Sequence, residues 1–386
     1  AGAAVSHYVG AEIPVLGANA HWDGGSEYLV AEGDESDGTL DLYRPAYAVV
    51  LNIEEEHLDY YQGLQQIVGV FRTLLEQTSG KAIYCREDST AYELCSQYEG
   101  GLSYGWSDAD YTAVDVVEGR GVIAFTVFRR GEEMGRVELG IPGRHNVLNA
   151  LAAIALADDL QLDFSCVTRA LSSFAGAKRR FESVYLSPRF HVIDDYGHHP
   201  TEITATLQTA RSLEPNRIVA LFQPHRYSRT ERLAAEFGKA LQGADLVFVT
   251  GIYAASENPI EGVSGMTVLE AVEQHGSTKC VYHEDLSTVH HIVGNALKAG
   301  DLLLTLGAGN VHEAGKRISA DLQLVDLLKG EFAESDIEIK LYESMRRHTT
   351  MLVGGPAQFW IEPRTFSAFA CAVNPVDKWM IASQTN

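Results

Sequence analysis

The sequence predicts an α/β protein whose second half is a doubly wound parallel sheet. From Phe190 to Leu328, short apolar runs alternate with stretches of helical period, the pattern of successive strand–helix units. Two earlier runs, Glu27-Tyr-Leu-Val-Ala-Glu and Ala46-Tyr-Ala-Val-Val-Leu-Asn-Ile, are nearly continuously apolar between polar turns, as strands buried on both faces of a parallel sheet are. With 386 residues, 46% of them hydrophobic, the chain is long enough for roughly two to three domains.

Taken in order, the two early runs are the first strands. Leu64, Ile67, Phe71, Leu74 and Leu75 recur at three- and four-residue steps, so Gln62 to Gln77 is expected as an amphipathic helix returning to a strand at Lys81 to Cys85. Tyr111 to Leu139 alternates Val and Phe between Gly-containing turns and reads as antiparallel hairpins at a sheet edge. The alanine-rich stretch Val147 to Leu160 and the segment Cys166 to Phe174 read as helices. The second half then gives strands at Phe190 to Ile193, Ile218 to Phe222, Leu246 to Thr250, Lys279 to Tyr282 and Leu302 to Leu306. Between and after them come helices at Thr201 to Ser212, Glu231 to Leu241, Thr267 to His275, Leu286 to Lys298 and Val311 to Leu328. Lys329 to Ser344 is charged and weakly patterned, the reading of a linker.

Composition excludes several classes. A formal charge of −22 repels phosphate backbones, so nucleic acid is not an expected partner. No apolar run approaches the roughly 18 to 20 residues that cross a bilayer, so membrane insertion is not expected either. Five widely spaced cysteines without a CxxC pair argue against a disulfide framework and a zinc site and point to a cytoplasmic protein. The opening Ala1-Gly-Ala-Ala-Val-Ser reads as the tail of a helix entering a strand rather than a natural start.

In a parallel sheet, ligands bind at the carboxyl ends of strands, and four such ends are loaded with polar groups. Glu32-Gly-Asp-Glu-Ser-Asp37 and Asn52-Ile-Glu-Glu-Glu-His57-Leu-Asp59 are two acid-rich ends that suit Mg²⁺, although surface acidity alone gives such clusters. Asp194-Asp-Tyr-Gly-His-His-Pro200 sets His198 and His199 at a helix N-terminus, where they attend an anion or simply cap the loop. In Phe222-Gln-Pro-His225-Arg226-Tyr-Ser-Arg229-Thr-Glu-Arg232 an acidic protein concentrates arginines, whose planar fork recognises carboxylate or phosphate. Lys178-Arg-Arg-Phe181 is another basic knot, for polyphosphate or as an exposed helix end. Two motifs fail. Gly307-Ala-Gly309-Asn310-Val-His312 has His312 where a dinucleotide fingerprint needs its last Gly, and GxxxxGK[ST] occurs nowhere.

Together, Tyr28 to Gly38, Asn52 to Tyr61, Gly143-Arg-His-Asn-Val-Leu-Asn-Ala, Arg179-Arg-Phe, Asp194 to Ile203, Phe222 to Thr230 and Leu306-Gly-Ala-Gly-Asn-Val resemble the Mur ligases, and among them the alanine-adding branch. The resemblance implies a central ATP-binding domain over 1–184 and a C-terminal doubly wound Rossmann-like domain over 185–329. It implies ATP-dependent ligation of L-alanine to UDP-N-acetylmuramate through an acyl phosphate, in peptidoglycan precursor synthesis. It implies Mg²⁺ on Glu32 and His57, adenine at His145, Asn146 and Asn149, phosphates at Arg179 or Arg180, and ribose at Asp195. Tyr196, His198, His199, His225, Arg226 and Arg229 resemble the alanine-binding set, with Arg226 or Arg229 on the carboxylate. His198 would take the amine proton, and Arg180 is the second catalytic candidate.

There are departures. The family's UDP-binding domain and GTHGKTTT phosphate loop are missing, so the chain alone is expected to be inactive. No Lys stands between His57 and Lys81 to match the carbamoylated lysine of sister ligases, as the alanine-adding branch implies. Arg347-His-Thr-Thr-Met-Leu-Val-Gly-Gly-Pro-Ala resembles the opening of the flavin domain of UDP-N-acetylenolpyruvylglucosamine reductases. Residues 330–386 thus read as a linker and partial FAD-binding domain, a short α+β extension of a ligase–reductase fusion, with FAD expected only in the complete fusion and other cell-wall precursor enzymes as partners. Two alternatives stand beside this: an inert nucleotide-binding remnant or scaffold, and a related ligase that recycles a cell-wall tripeptide.

Overall fold

The structure is a computed structural model and describes residues 5–57, 60–119, 121–331, 337–366 and 369. The chain divides into two compact units, 1–178 and 179–386. In the first, β1 (Val5–Tyr8), β2 (Ala20–His21) and β3 (Tyr28–Ala31) form a small sheet in the order β2-β1-β3, with β1 and β3 parallel. A separate six-stranded sheet follows in sequence order: β4 (Tyr47–Val50), β5 (Lys81–Cys85), β6 (Gly101–Gly105), β7 (Tyr111–Gly119), β8 (Val122–Arg129) and β9 (Glu132–Leu139). Its strands run parallel from β4 to β7 and antiparallel from β7 to β9, the expected edge hairpins.

Helices α1 (Leu64–Gln77), α2 (Ser89–Cys95), α3 (Arg144–Asp159) and α4 (Phe164–Ser173) belong to this unit. The small side chains of α3 bury Ala150, Ala152 and Ala155 with Leu151 and Ile154 in one cluster with Tyr104, Phe125 and Val127. Asp88 caps α2 by accepting the Ala91 N–H at 2.7 Å and also accepts the Ile53 N–H at 3.3 Å, tying down the loop after β4.

The second unit holds a sheet in the order β10-β11-β15-β12-β13-β14, from β10 (Glu182–Leu186), β11 (Phe190–Asp195), β12 (Arg217–Phe222), β13 (Leu246–Val249), β14 (Lys279–Tyr282) and β15 (Asp301–Leu306). All pairings are parallel except β10 with β11. All six residues of the central β15 are buried, and separate apolar clusters lie on the two faces of the sheet, as double winding requires. The helices are α5 (Pro200–Ser212), α6 (Tyr227–Arg232), α7 (Ala234–Ala240), α8 (Gly265–His275), α9 (Val289–Ala296) and α10 (Val311–Glu331). A two-stranded antiparallel sheet of β16 (Ile337–Ser344) and β17 (Pro356–Pro363) ends the described chain. Among the described residues no helix is long and apolar enough to cross a membrane.

Four expectations are corrected. The run at Tyr28 forms a strand, but in the small sheet, and Tyr28, Leu29 and Val30 stand 44–58% exposed, because an apolar run is buried only where a second layer covers it. The helix expected over Glu231 to Leu241 is two helices, broken at Leu233. The division falls at 178/179 rather than 184/185, since Glu182–Leu186 is a strand of the second sheet. Lastly, the expected linker contains β16. Its Ile337, Ile339 and Leu341 alternate as a strand should, a period masked by the intervening Glu338 and Lys340.

Candidate active site

In the second unit, four strands end in one row. Asp195 of β11 stands opposite Leu306 of β15, Leu306 opposite Phe222 of β12, and Phe222 opposite Val249 of β13. The loops that follow therefore leave the sheet side by side, at the edge where such sheets bind ligands. Aromatic and imidazole rings bridge three of these loops. Tyr196 lies edge-on to His198 with centroids 5.5 Å apart, His198 edge-on to His225 at 5.5 Å, and His225 stacks on Tyr253 at 5.5 Å and 11°.

The two histidines differ chemically. Arg229 can only donate, and its Nη1 lies 3.1 Å from His225 Nδ1, so that nitrogen holds the lone pair and Nε2 the proton. Burial, with His198, Arg229 and Arg226 nearby, pushes the His225 imidazole down from 6.5 to about 4. His198 Nδ1 faces the Tyr196 carbonyl at 3.1 Å; a carbonyl only accepts, so Nδ1 carries the proton and the neutral ring's lone pair is on Nε2. Burial raises the Glu202 carboxyl, but His198, the N–H groups of His198 and His199 and the Arg180 charge outweigh it and hold Glu202 below its ordinary value.

Each remaining candidate in this unit has a definite place. His199 is the N-cap of α5 and gives its N–H to Glu202 at 3.1 Å. Arg226 has a left-handed backbone (φ 69°), gives its N–H to the Tyr253 carbonyl at 2.8 Å, and its guanidinium lies 3.9 Å from Glu257. Arg180 is half exposed, 3.1 Å from Glu202 and 5.3 Å from the Tyr196 ring centre. Arg179 and Asp195 are both engaged by protein neighbours. The Arg179 guanidinium is turned inward to Asp194 at 2.9 Å and to the carbonyls of Gly307 and Gly309 at 2.7 and 3.1 Å, which leaves Arg180 as the phosphate candidate. Asp195 is 6% exposed and accepts the N–H groups of Phe181 and Gly197 at 2.8 and 2.7 Å and the Thr206 hydroxyl at 3.3 Å. Burial raises its carboxyl despite these bonds, and here it fastens loops.

In the first unit, His57 takes a left-handed backbone (φ 52°) that lets its carbonyl accept the N–H groups of Tyr60 and Tyr61. Its Nε2 lies 3.4 Å from Glu35 and 3.9 Å from Glu56, and one donor atom of each residue falls within 4.8 Å of the others. Two carboxylates and an imidazole, all half-buried, fit a small divalent cation that fills its shell with water or phosphate oxygens. Glu32 is not the carboxylate brought to His57. It accepts the Gly10 N–H instead, because β3 lies in a different sheet from β4. At the start of α3, His145 and Asn149 are exposed one turn apart, while Asn146 gives its amide to the Pro142 carbonyl at 2.7 Å and accepts from Asn149 at 3.3 Å.

Residues 15–157 match the Mur ligase middle domain, and residues 179–309 match the glutamate ligase domain of Mur ligases. The chain is 43% identical over 321 residues to the UDP-N-acetylmuramate–L-alanine ligase of Desulforamulus reducens, which covers 82% of this chain and 69% of that protein. It is 40% identical over 326 residues to the ligase of the same name from Pelotomaculum thermopropionicum, over 83% and 69%. The chain belongs to the UDP-N-acetylmuramate–L-alanine ligases. The crystal structure of the Thermotoga maritima UDP-N-acetylmuramate–alanine ligase agrees, with a TM-score of 0.70 at 29% identity over 83% of this chain and 69% of that one.

The relatives are named as ligases of UDP-N-acetylmuramate and L-alanine, and by family this chain is a ligase, the class of enzyme that forms carbon–nitrogen bonds here. Sequence reasoning missed four residues that the fold brings to the candidate sites. Tyr253 and Glu257 lie in Gly251-Ile-Tyr-Ala-Ala-Ser-Glu, just after β13, so inspection of every strand end would have found them. Glu35 and Glu56 stand inside the acidic runs already singled out.

In an NMR titration the His225 ring is expected to stay neutral with its proton on Nε2 until pH approaches about 4. As pH falls, the unfolded chain takes this proton first, so the stability contributed by the neutral ring is complete above 6.5 and is lost between 6.5 and 4. Chemical denaturation across that range should show a loss that is smaller in His225→Phe. For the first unit, Mn²⁺ binding followed by electron paramagnetic resonance should weaken by about tenfold or more in His57→Ala and Glu35→Ala, and by less in Glu32→Ala.

Proposed function

We propose that this chain, once joined to a phosphate loop and UDP-binding domain of the family, carries out the alanine-adding step of peptidoglycan precursor synthesis, joining L-alanine to the muramate carboxylate of UDP-N-acetylmuramate at the expense of ATP. The observation that carries the reading is the row Tyr196, His198, His225 and Arg229, with Arg226 beside it, at the strand ends of the second unit. A muramate carboxylate oxygen attacks the γ-phosphorus of ATP and ADP leaves. The alanine nitrogen then attacks the acyl carbon, the bond from that carbon to the phosphate oxygen breaks, and the surplus amine proton is released.

The residues supply distinct parts. Arg226 holds the alanine carboxylate in its planar fork, with Glu257 orienting the guanidinium. His198 takes the amine proton on Nε2, the nitrogen opposite its bond to Tyr196. His225, neutral and fixed by Arg229, lends ring surface without adding a charge. Arg180 reaches the phosphates, and His145, Asn146 and Asn149 serve the adenine. His57 with Glu35 and Glu56 would hold Mg²⁺, which when bound offsets phosphate charge. The reading is of a cytoplasmic enzyme, which the free thiols of Cys85, Cys95, Cys166 and Cys280 support. We also read the tail as the opening of a flavin-binding reductase domain, its Arg347-His-Thr-Thr motif lying between β16 and β17.

The test is a coupled phosphate assay with UDP-N-acetylmuramate and ATP, with and without L-alanine. These 386 residues contain no GxxxxGK[ST] loop to hold the β- and γ-phosphates. The chain by itself is therefore expected to give no alanine-dependent phosphate, and the chain extended upstream through a relative's UDP-binding domain and GTHGKTTT loop to give it. A folded, extended chain that stays silent would favour the nucleotide-binding remnant. In the extended chain, Arg226→Lys should cost about 1.5–3 kcal/mol in alanine binding and leave ATP binding nearly unchanged; isothermal calorimetry with each ligand separates the two.

A further inference from the structure

The last two strands among the described residues do not hang from the second unit; they complete it. Leu341 and Tyr342 of β16 are 6% and 8% exposed, in the same apolar cluster as Val192, Leu303, Ile318 and Leu322. The β16–β17 ladder pairs Leu341 with Phe359 and Glu343 with Ala357, and skips Tyr342 and Gln358. Both skipped residues reach one carboxylate on α10. The Tyr342 hydroxyl donates to Asp321 Oδ2, and Gln358 Nε2 donates to Asp321 Oδ1 at 2.8 Å. Asp321 is 5% exposed, so these bonds offset the cost of burying it.

The α9 side is shaped to match. Gly294 lies under the Tyr342 ring, where a Cβ would come within 3.0 Å of two ring carbons, and Asn295 donates its amide to the Leu341 carbonyl at 2.9 Å. The rings of His290 and His291 flank Tyr342 at 5.4 and 4.6 Å. Tyr342 has a left-handed backbone (φ 55°), a conformation a bulky aromatic holds only where its surroundings over-determine it.

We propose that the α9–α10 face is a built docking surface for the chain's own hairpin, residues 337–363, and that the Tyr342–Asp321–Gln358 latch locks it there. The ligase's second domain and the hairpin are then one cooperative unit, the hairpin seated on a fixed mount rather than on a flexible tether. The occupant is this segment of the chain, with a receptor of one buried carboxylate, one glycine and two imidazoles. The inference is independent of which reaction the ligase catalyses.

Hydrogen exchange on the full chain tests it. In the unaltered protein, the β16 and β17 amides should exchange only as slowly opening members of the second unit, with protection matching β15. Tyr342→Phe removes one hydroxyl and keeps the ring, so the variant folds; hairpin exchange should quicken by about tenfold to a hundredfold while β5 and β8 of the first unit stay unchanged. Asp321→Asn should do the same, and the two changes together should cost less than their sum, since each breaks the same bond. Fast hairpin exchange in the unaltered chain would overturn the proposal. So would a hairpin that Tyr342→Phe and Asp321→Asn leave as protected as before.

Discussion

The site in the second unit depends on one inward-facing arginine. Arg179 pairs with Asp194, whose side chain is 5% exposed, and donates to the carbonyls of Gly307 and Gly309. Its own carbonyl accepts the Tyr196 N–H, and its N–H goes to Glu182. One residue thus joins the end of β11 and the loop after β15 through its side chain, and the start of β10 through its backbone N–H. Removing it would leave Asp194 as a buried carboxylate with the Thr305 hydroxyl but no cation, and two carbonyls without their donors. The left-handed backbone at Arg179 and Phe181 is the strain this arrangement holds, next to the loop that carries Tyr196 and His198.

From that anchor the functional side chains inherit their positions. Gly309 has no Cβ to strike the Tyr253 ring, which a methyl would approach to 2.7 Å, so Tyr253 can lie flat on His225. The Tyr253 backbone also brackets the arginine loop, giving its N–H to Pro224 and taking that of Arg226. Glu257 then accepts from the Ser228 N–H and hydroxyl at the start of α6 while standing beside Arg226. Two histidines of the same intrinsic chemistry end up different because one faces a pure donor and the other a pure acceptor.

Much of this was legible in the sequence. The alternation of apolar runs located the β11–β15 sheet, since strands buried on both faces leave a continuous apolar trace, and the rule that ligands gather at strand ends selected the loops that carry Tyr196, His198, His225 and Arg229. The family resemblance offered Arg179 or Arg180 for the phosphates without saying which one turned inward; that depends on Asp194 and the Gly307 loop, far apart in sequence and joined only by the fold. For the same reason the sequence did not show that Asp195 has two backbone N–H groups and Thr206 as its neighbours in space. That Glu35 rather than Glu32 lies beside His57 here was not legible, because alternation cannot say which sheet a short strand joins. The strand at Ile337 was hidden because its outward residues are charged on both sides of a half-buried ladder.

Charge distribution bears on how such a site works in so acidic a chain. The formal charge of −22 disfavours every anion in the proposed reaction, from the sugar nucleotide to ATP. Arg180, Arg226 and Arg229 offset it only locally, and each is held near an anionic or polar partner, Glu202, Glu257 or His225 respectively. Such pairing keeps the forks oriented before any ligand arrives, so less side-chain freedom is lost when a carboxylate or phosphate binds. It also means that an incoming anion competes with Glu257 for Arg226. At 3.9 Å that pair is too long for a hydrogen bond, and its attraction is correspondingly weak. A carboxylate in the plane of the fork at normal hydrogen-bond distance would gain two short charge-assisted bonds, a stronger attraction than that of the 3.9 Å pair with Glu257.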